Sequence, residues 1–536
     1  MNDRSKTPAI SRRTVVTGAG ALALTACLPD VGRAQTLTQD PACTAAGGAA
    51  CGKPENALIA PPERRSDPDR RRLEVAIDAV YGYYDLDGRP VALRGYGGGP
   101  RPVTLRVRAG DTLALDLANR LPMGPTPAAA AAGGHGNGHG NGHGHHGAPA
   151  DVPGMSGLNV PHGFNLTNMH VHGLHVSPKR PSDYVLLTVE PGRTEHYSYA
   201  IPPNHPCGLN FYHAHHHGSV ALQVASGMAG ALIVEGKVDA IKEIAACKDV
   251  VMLLQSLPVD ERGQLEDYRT LDVGTQVYIN GQRNPSICMK RGEVQRWRLV
   301  NATHDRFLTL KLREHGFTAL GYDGNPLERT EPADTVFLAP GNRAEVLVKA
   351  ADKPGLYPLD GGSNFGVAYG TIGTVSVTEE QCAMKLYEGP LVSYADDFDG
   401  HLKPIADDEI VTGRRVGFGQ IGTLPSWTWT IDGKPFAADE KGFAAKLDTA
   451  EEWVLTNQTN DPHPFHIHIN PFQVLEASGL PVPVPAGRWL DTITIPPHGH
   501  VRLRTRYRDF DGPFVFHCHT LAHEDQGMMR LITVEA

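Results

Sequence analysis

The chain has 536 residues, 50 of them Lys or Arg and 59 Asp or Glu, for a net charge of −9. Basic and acidic residues are mixed along its length, which excludes the clustered positive face of a nucleic-acid binder. At about 100–200 residues per domain the length suggests three domains, and 59 glycines and 42 prolines set between Val, Thr, Tyr and Phe runs favour an all-β chain of short strands and turns.

Residues 1–34 read as an export signal. Arg12 and Arg13 precede an apolar run that ends at Ala26 and is too short to span a bilayer. This predicts a periplasmic or extracellular protein sent out by the twin-arginine route. Cleavage after Ala34 and lipid attachment at Cys27, within Leu24-Thr25-Ala26-Cys27, are both open. No other stretch is long and apolar enough for a transmembrane span. Cysteines stand at 27, 43, 51, 207, 247, 288, 382 and 518. If Cys27 leaves with the signal and Cys518 binds metal, an even number remains, which permits disulfides in an exported protein. Cys43 and Cys51 are near enough in sequence to pair locally, but spacing alone selects no connectivity.

Residues 35–70 form an irregular extension. A first strand-rich unit is expected over 71–240, with alternating patterns at Leu73–Tyr81, Val103–Arg108, Leu113–Leu117, Asn168–Val176, Glu195–Ile201, Gly208–His215 and Gly230–Glu235. It is interrupted at 122–157 by a Pro/Ala/Gly-rich insertion carrying His135, His139, His143, His145 and His146, a composition that cannot build a core. The insertion reads either as a copper-collecting loop or as a tolerated surface segment. A second unit is expected over 241–395, with strands at Val250–Leu254, Val277–Gly281, Gln295–Asn301 and Ala344–Val348. A third follows over 396–536, with Thr428–Lys434 among its strands. Ile279-Asn280-Gly281 and Ile431-Asp432-Gly433 occupy similar places in the last two units, which suggests internal duplication.

Four segments place histidines two residues apart: His170/His172, His213/His215, His466/His468 and His517/His519. Alternate residues of a strand share a face, about 7 Å apart. Two pairs lie in the first unit and two in the third. If those units pack together, eight imidazoles meet, enough for a cluster of copper ions. Cys518 stands between His517 and His519 and points to the opposite face. His523 follows five residues after Cys518, and Met528 ten. His463 has the opposite parity to His466 and His468, so it faces with Cys518 if strand geometry persists through Pro464. A thiolate, two imidazoles and a weak thioether make a blue-copper electron-transfer set. Met529 reads as core packing. His216 and His217 read as neighbours of ligands, and His175, His196, His205, His304, His315, His401, His498 and His500 as surface or hydrogen-bonded histidines.

These segments, with His463-Pro464-Phe465-His466-Ile467-His468 and His517-Cys518-His519, resemble the multicopper oxidase family over roughly residues 70–536. The resemblance implies three cupredoxin-like Greek-key β-sandwich domains and four copper ions. A mononuclear copper would be held by His463, Cys518 and His523 with Met528 axial. A trinuclear cluster would take His170 and His466 at one ion, and His172, His213, His215, His468, His517 and His519 at a coupled pair. It also implies dioxygen as the electron acceptor and proton-handling acids at the positions of Asp183 and Glu524. The reductant is open. A laccase-like oxidation of phenols and aromatic amines is favoured over a cuprous-ion oxidase in copper tolerance, because the chain has only ten methionines and no Met-rich run before Cys518. A copper-storage or envelope scaffold protein is the non-enzymatic rival, and a copper nitrite reductase would not need eight cluster imidazoles. A monomer is expected. Deleting residues 134–147 is expected to change phenol oxidation by no more than a few-fold; complete loss in an oxygen-uptake assay would show that the tract takes part in the reaction.

Overall fold

The computed structural model describes residues 56–124, 157–266, 268–271, 276–362, 365, 368–423 and 426–536. The export segment, the His-rich tract and Cys27, Cys43 and Cys51 lie outside them. The described residues form six β-sheets in three successive pairs. In the first pair, a five-stranded sheet runs Glu63–Arg65, Thr104–Arg108, Ala229–Glu235, Gly208–His213, His170–His172. It faces a four-stranded sheet of Arg89–Tyr96, Arg72–Leu86, Thr112–Arg120 and Thr194–Ala200. The second pair has seven and five strands, and the third six and five. The fold is all-β, as expected for three cupredoxin-like sandwiches. No helix among the described residues is long and apolar enough to cross a membrane.

Each sandwich buries its own core. Leu105, Leu115 and Tyr199 lie in the first, Trp297, Leu310 and Val346 in the second, and Trp453, Phe465 and Phe516 in the third. Smaller apolar clusters join the units. Leu209, Phe211, Ala231 and Ile233 of the first pack on Val251, Leu253 and Val300 of the second, while Val185 meets Val515, Met529 and Leu531 of the third. Among the described cysteines, Cys288 and Cys382 are disulfide-bonded, whereas Cys207, Cys247 and Cys518 are buried free thiols.

Several expected strands are shorter than their apolar patterns. Asn168–Val176 contributes only His170–His172, because Gly173 turns the chain at φ +93°. Val277–Gly281 contributes only Tyr278–Ile279. Asn280 and Gly281, at φ 52° and 69°, make the two-residue turn of a hairpin with Gln282–Arg283. Asp432 and Gly433 repeat that left-handed pair, at φ 53° and 70°, after the Ser426–Ile431 strand. The duplication extends to the histidine-bearing strand pairs. His170 pairs with His213 and His213 with Ala229 in the first unit; His466 pairs with His517 and His517 with Met529 in the third.

A charge network with buried arginines and partly exposed aspartates fastens the first unit to the second. Arg298 donates to both oxygens of Asp249 at 2.9 Å and to Asp239 at 2.7 Å, and also pairs with Glu345. Arg106, from the first unit, reaches the same Asp249 at 2.8 Å. Without Arg298, Asp239 and Glu345 keep Arg296, and Asp249 keeps Arg106, so the cost is that of lost charged hydrogen bonds, about 1.5–3 kcal/mol. Arg298→Ala is therefore expected to lower the denaturant midpoint by that order, and an unchanged midpoint would contradict the reading.

Candidate metal centres

The third unit's five-stranded sheet sets the geometry. Gly512–Cys518 and His463–Ile467 are antiparallel neighbours, with Cys518 opposite Phe465 and His517 opposite His466. Directly paired residues point to one face, so His463, Phe465 and Cys518 share one side and His466 and His517 the other. Pro464 does not interrupt this arrangement. The strand begins at His463, and Pro464 pairs with Thr494 while its carbonyl accepts the His519 amide at 2.6 Å. The second histidine of three pairs lies just beyond its strand, since the strands end at His213, Ile467 and Cys518. The imidazoles therefore gather where strands leave the sheets, at the junction between units.

On the first face, His463 Nδ1 lies 3.2 Å from His523 Nδ1, and Cys518 Sγ lies 3.5 and 3.7 Å from the two. The centre of such a triangle is about 2.0 Å from every corner, the length of a bond from imidazole nitrogen to a first-row metal ion. His463 and Cys518 are fully buried and His523 is half-buried. Thr459 Oγ1 bonds His463 Nε2 at 2.8 Å, leaving Nδ1 to face the thiol. Burial pushes both imidazoles down, His463 to about 3, and pushes the Cys518 thiol up. Met528 is buried in the same core, and its carbonyl accepts the Cys518 amide at 3.0 Å. Trp429 covers His523, with ring centroids 3.9 Å apart.

On the other face, all eight paired histidines meet in one buried site. His215 Nε2 and His468 Nε2 each lie 3.2 Å from His517 Nε2. The rings of His170 and His468 stack at 3.7 Å, and those of His172 and His466 at 3.6 Å. His170 Nε2, His172 Nδ1, His213 Nε2 and His466 Nε2 are buried without a hydrogen-bond partner. Orphaned imidazole nitrogens at this density are costly unless a metal ion takes them up, so the donor set fits copper or another imidazole-binding ion. The opposite ring nitrogens are tied down: His170 Nδ1 to Asp183 at 2.8 Å, His213 Nδ1 to the Ala214 carbonyl at 3.0 Å and His517 Nδ1 to the Cys518 carbonyl at 3.1 Å. Such outer bonds select which nitrogen faces inward.

Asp183 thus reaches the site, and its other oxygen accepts the Val171 amide at 3.1 Å. Burial pushes its carboxyl up to about 8. Glu524 lies 3.0 Å from His517 Nδ1 and 3.5 Å from His215 Nδ1, yet neither of its oxygens has an aligned donor. Burial pushes Glu524 up as well, to about 7, with His215 pulling it back. A carboxyl so placed can take up and release a proton near neutral pH. Sequence reasoning missed Asp491, whose Oδ1 lies 3.1 Å from His172 Nε2 and whose carbonyl accepts from His466 Nδ1 at 2.9 Å. The neighbouring His216 and His217 bond Thr188 and Asn159 instead. Of the histidines read as ordinary, His175, His205, His304 and His401 are buried rather than superficial. His175 and His205 are held by the carbonyls of Ile469 and Pro206.

Burial holds all eight cluster imidazoles below their ordinary value: His213 and His215 at about 3, His517 at about 4 and the other five well below. They are neutral when folded but protonate near pH 6.5 when unfolded, so their contribution is present above about pH 6.5 and is lost as pH falls through about 4 for His517 and about 3 for His213 and His215. Metal-free protein is expected to lose up to about 1.4 kcal/mol per histidine per pH unit across that window. Thermal unfolding midpoints at stepped pH check this, and a flat profile would contradict it.

Comparison with known proteins agrees with this geometry. Three family models described as multicopper oxidase match in series, over residues 162–239, 253–373 and 419–536, together more than half of the chain. The chain is 27% identical over 385 residues to a Staphylococcus aureus multicopper oxidase, covering 69% of this chain and 76% of that one. It is 25% identical over 375 residues to a Bacillus subtilis laccase, covering 62% and 71%. A Campylobacter jejuni multicopper oxidase, described as a metallo-oxidase, superimposes with a TM-score of 0.70 at 22% identity over 90% of this chain and 95% of its own, a likeness of fold. The chain belongs to the multicopper oxidases, oxidoreductases that use dioxygen as electron acceptor.

Proposed function

We propose that the chain is a laccase-like oxidase that removes single electrons from phenols or aromatic amines and delivers four of them, with four protons, to dioxygen, giving two waters. The observation that carries this reading is the shared strand, with Cys518 among His463 and His523 on one face and His517 and His519 among the eight imidazoles on the other. Four copper ions are proposed. His463, Cys518 and His523 would hold one, with the Met528 thioether as a further, weaker ligand. His170 and His466 would hold a second, and His172, His213, His215, His468, His517 and His519 a coupled pair. Copper in these sites would supply one-electron chemistry at the first and oxygen chemistry at the second.

The chain's own residues have distinct tasks. His523, the half-buried member of its set, offers the ring edge that a reductant can approach. The backbone on either side of Cys518 links that set covalently to His517 and His519, so an electron has a path of a few bonds. Apolar side chains around Cys518, among them Phe465, Phe516 and Met528, exclude water from the thiol. Glu524 holds a proton on its carboxyl beside His517 and His215, where reduction of oxygen to water consumes protons. Asp183 orients His170 by accepting from Nδ1. The twin-arginine segment supports a location in the periplasm or outside the cell.

Substrate preference follows ligand softness. The chain has ten methionines and no run of them before Cys518, and cuprous ions favour thioethers. The second reading, a cuprous-ion oxidase, draws on the metallo-oxidase description of the similar Campylobacter jejuni protein. Oxygen uptake by copper-loaded protein, given a phenolic dye and Cu(I) in parallel, is expected to be faster with the dye, and turnover of Cu(I) alone would reverse the preference. Cys518→Ser is expected to remove the intense blue absorption and the oxidase activity while leaving the fold intact. A variant that stays blue would sink the assignment of Cys518.

A further inference from the structure

The second unit contributes no histidine to either set, yet it reaches the eight-histidine site through buried polar side chains: Asp323 accepts the Asp491 and Thr492 amides at 3.4 and 3.2 Å, and Arg343 meets the Asp491 carboxylate. Arg343 begins the Arg343–Lys349 strand and is completely shielded from solvent. Its guanidinium grips Asp491 of the third unit with both arms, Nη1 to Oδ1 at 2.7 Å and Nη2 to Oδ2 at 2.6 Å. Its remaining donors reach Leu209 O at 3.2 Å, Gly341 O at 3.1 Å and Asn210 Oδ1 at 3.3 Å. All five N–H groups are thus used, on acceptors from all three units. The gripped Asp491 Oδ1 lies 3.1 Å from His172 Nε2, while Asp491 O accepts from His466 Nδ1 at 2.9 Å. Thr492 Oγ1 lies 3.2 Å from His172 Nε2 and 3.1 Å from His466 Nδ1 and donates to Asp491 Oδ1 at 2.8 Å, so Asp491 and Thr492 together hold the outer nitrogens of both rings of the stacked His172–His466 pair, whose inner nitrogens are among the orphans.

Two glycines show that this approach is built in. Gly173 follows His172 at φ +93°, and a Cβ there would collide with Arg343 Nη2 and Asn210 Oδ1. Gly341 of the second unit, at φ +87°, lies against the His519 ring, where a Cβ would come 2.8 Å from Cδ2. Both positions need left-handed backbone and close contact, which only glycine supplies without strain.

We propose that Arg343 is a positioning residue for the metal cluster. By fixing Asp491 it makes Asp491 Oδ1 the acceptor of the His172 Nε2 proton and so commits His172 Nδ1, with its stacked partner His466, to metal. The inference rests on the eight-histidine reading above. Lysine cannot reproduce a bidentate grip, and loss of an outer-shell partner weakens metal binding about 10–100-fold.

The test is to titrate copper-free full-length protein with copper against a competing chelator. Copper per chain, the blue absorption of the Cys518 site and the electron paramagnetic resonance of the remaining copper are followed together. Arg343→Lys and Asp491→Asn are expected to keep the blue absorption, which reports an intact fold, while binding cluster copper about 10–100-fold more weakly and with altered resonance. Wild-type cluster affinity and resonance in both variants would overturn the proposal. Loss of the blue absorption in both would assign the two residues to folding alone and also overturn it. A wild-type chain that binds only the single copper responsible for the blue colour would instead refute the eight-histidine reading and this inference with it.

Discussion

The register between Gly512–Cys518 and His463–Ile467 is the constraint on which everything else depends. Cys518 faces Phe465 and His517 faces His466, so one strand pair divides its side chains between two sites. Strand periodicity is two, and a slip of one residue would exchange every side chain between faces. His463 would then lose Cys518, and His466 would lose His517. The register is held by burial on both sides: Phe465, Phe516 and Trp453 pack together around the thiol face, and eight imidazoles fill the other. On the proposed reading, the close coupling of an electron-entry site to an oxygen site would be a consequence of β-pleat geometry rather than of a long relay.

The eight-histidine site also explains the order of the three units. The first and third each bring a duplicated antiparallel strand pair, with His170 opposite His213 and His466 opposite His517. Neither pair can gather eight imidazoles alone, so the site exists only at their interface. The second unit sits against both. It packs Val251, Leu253 and Val300 on the first, shares the Arg106, Arg298 and Asp249 network with it, and sends Arg343 to the third. Buried charges of this kind carry a desolvation cost that apolar packing would avoid. At Arg343 the return is orientation, because the guanidinium fixes a carboxylate that fixes a histidine.

Much of the site was legible in the sequence because its signals are local. A spacing of two survives any loop length, and a cysteine between two such histidines declares opposite faces without knowledge of the tertiary fold. The parity of His463 was equally readable, and Pro464 does not break it, because the strand continues through its pairing with Thr494. The supporting residues were not legible. Asp491 and Asp323 stand in the breaks between strands and Arg343 at the start of one, far apart in sequence, and nothing in their neighbours marks them as buried. Asn168–Val176 and Val277–Gly281 were read as longer strands than they are, because alternation does not register the left-handed turns at Gly173 and at Asn280-Gly281. The Ile-Asn-Gly and Ile-Asp-Gly repeats were visible as likeness, and their shared backbone turn gives that likeness a physical cause.

The central claim is that one strand serves two separate metal centres. Anomalous scattering at the copper absorption edge, measured on crystals of copper-loaded protein, tests it most directly. The account predicts one peak enclosed by His463, Cys518 and His523, and a distinct group of peaks among His170, His172, His213, His215, His466, His468, His517 and His519. Copper confined to a single centre, or found only away from both sets, would contradict it.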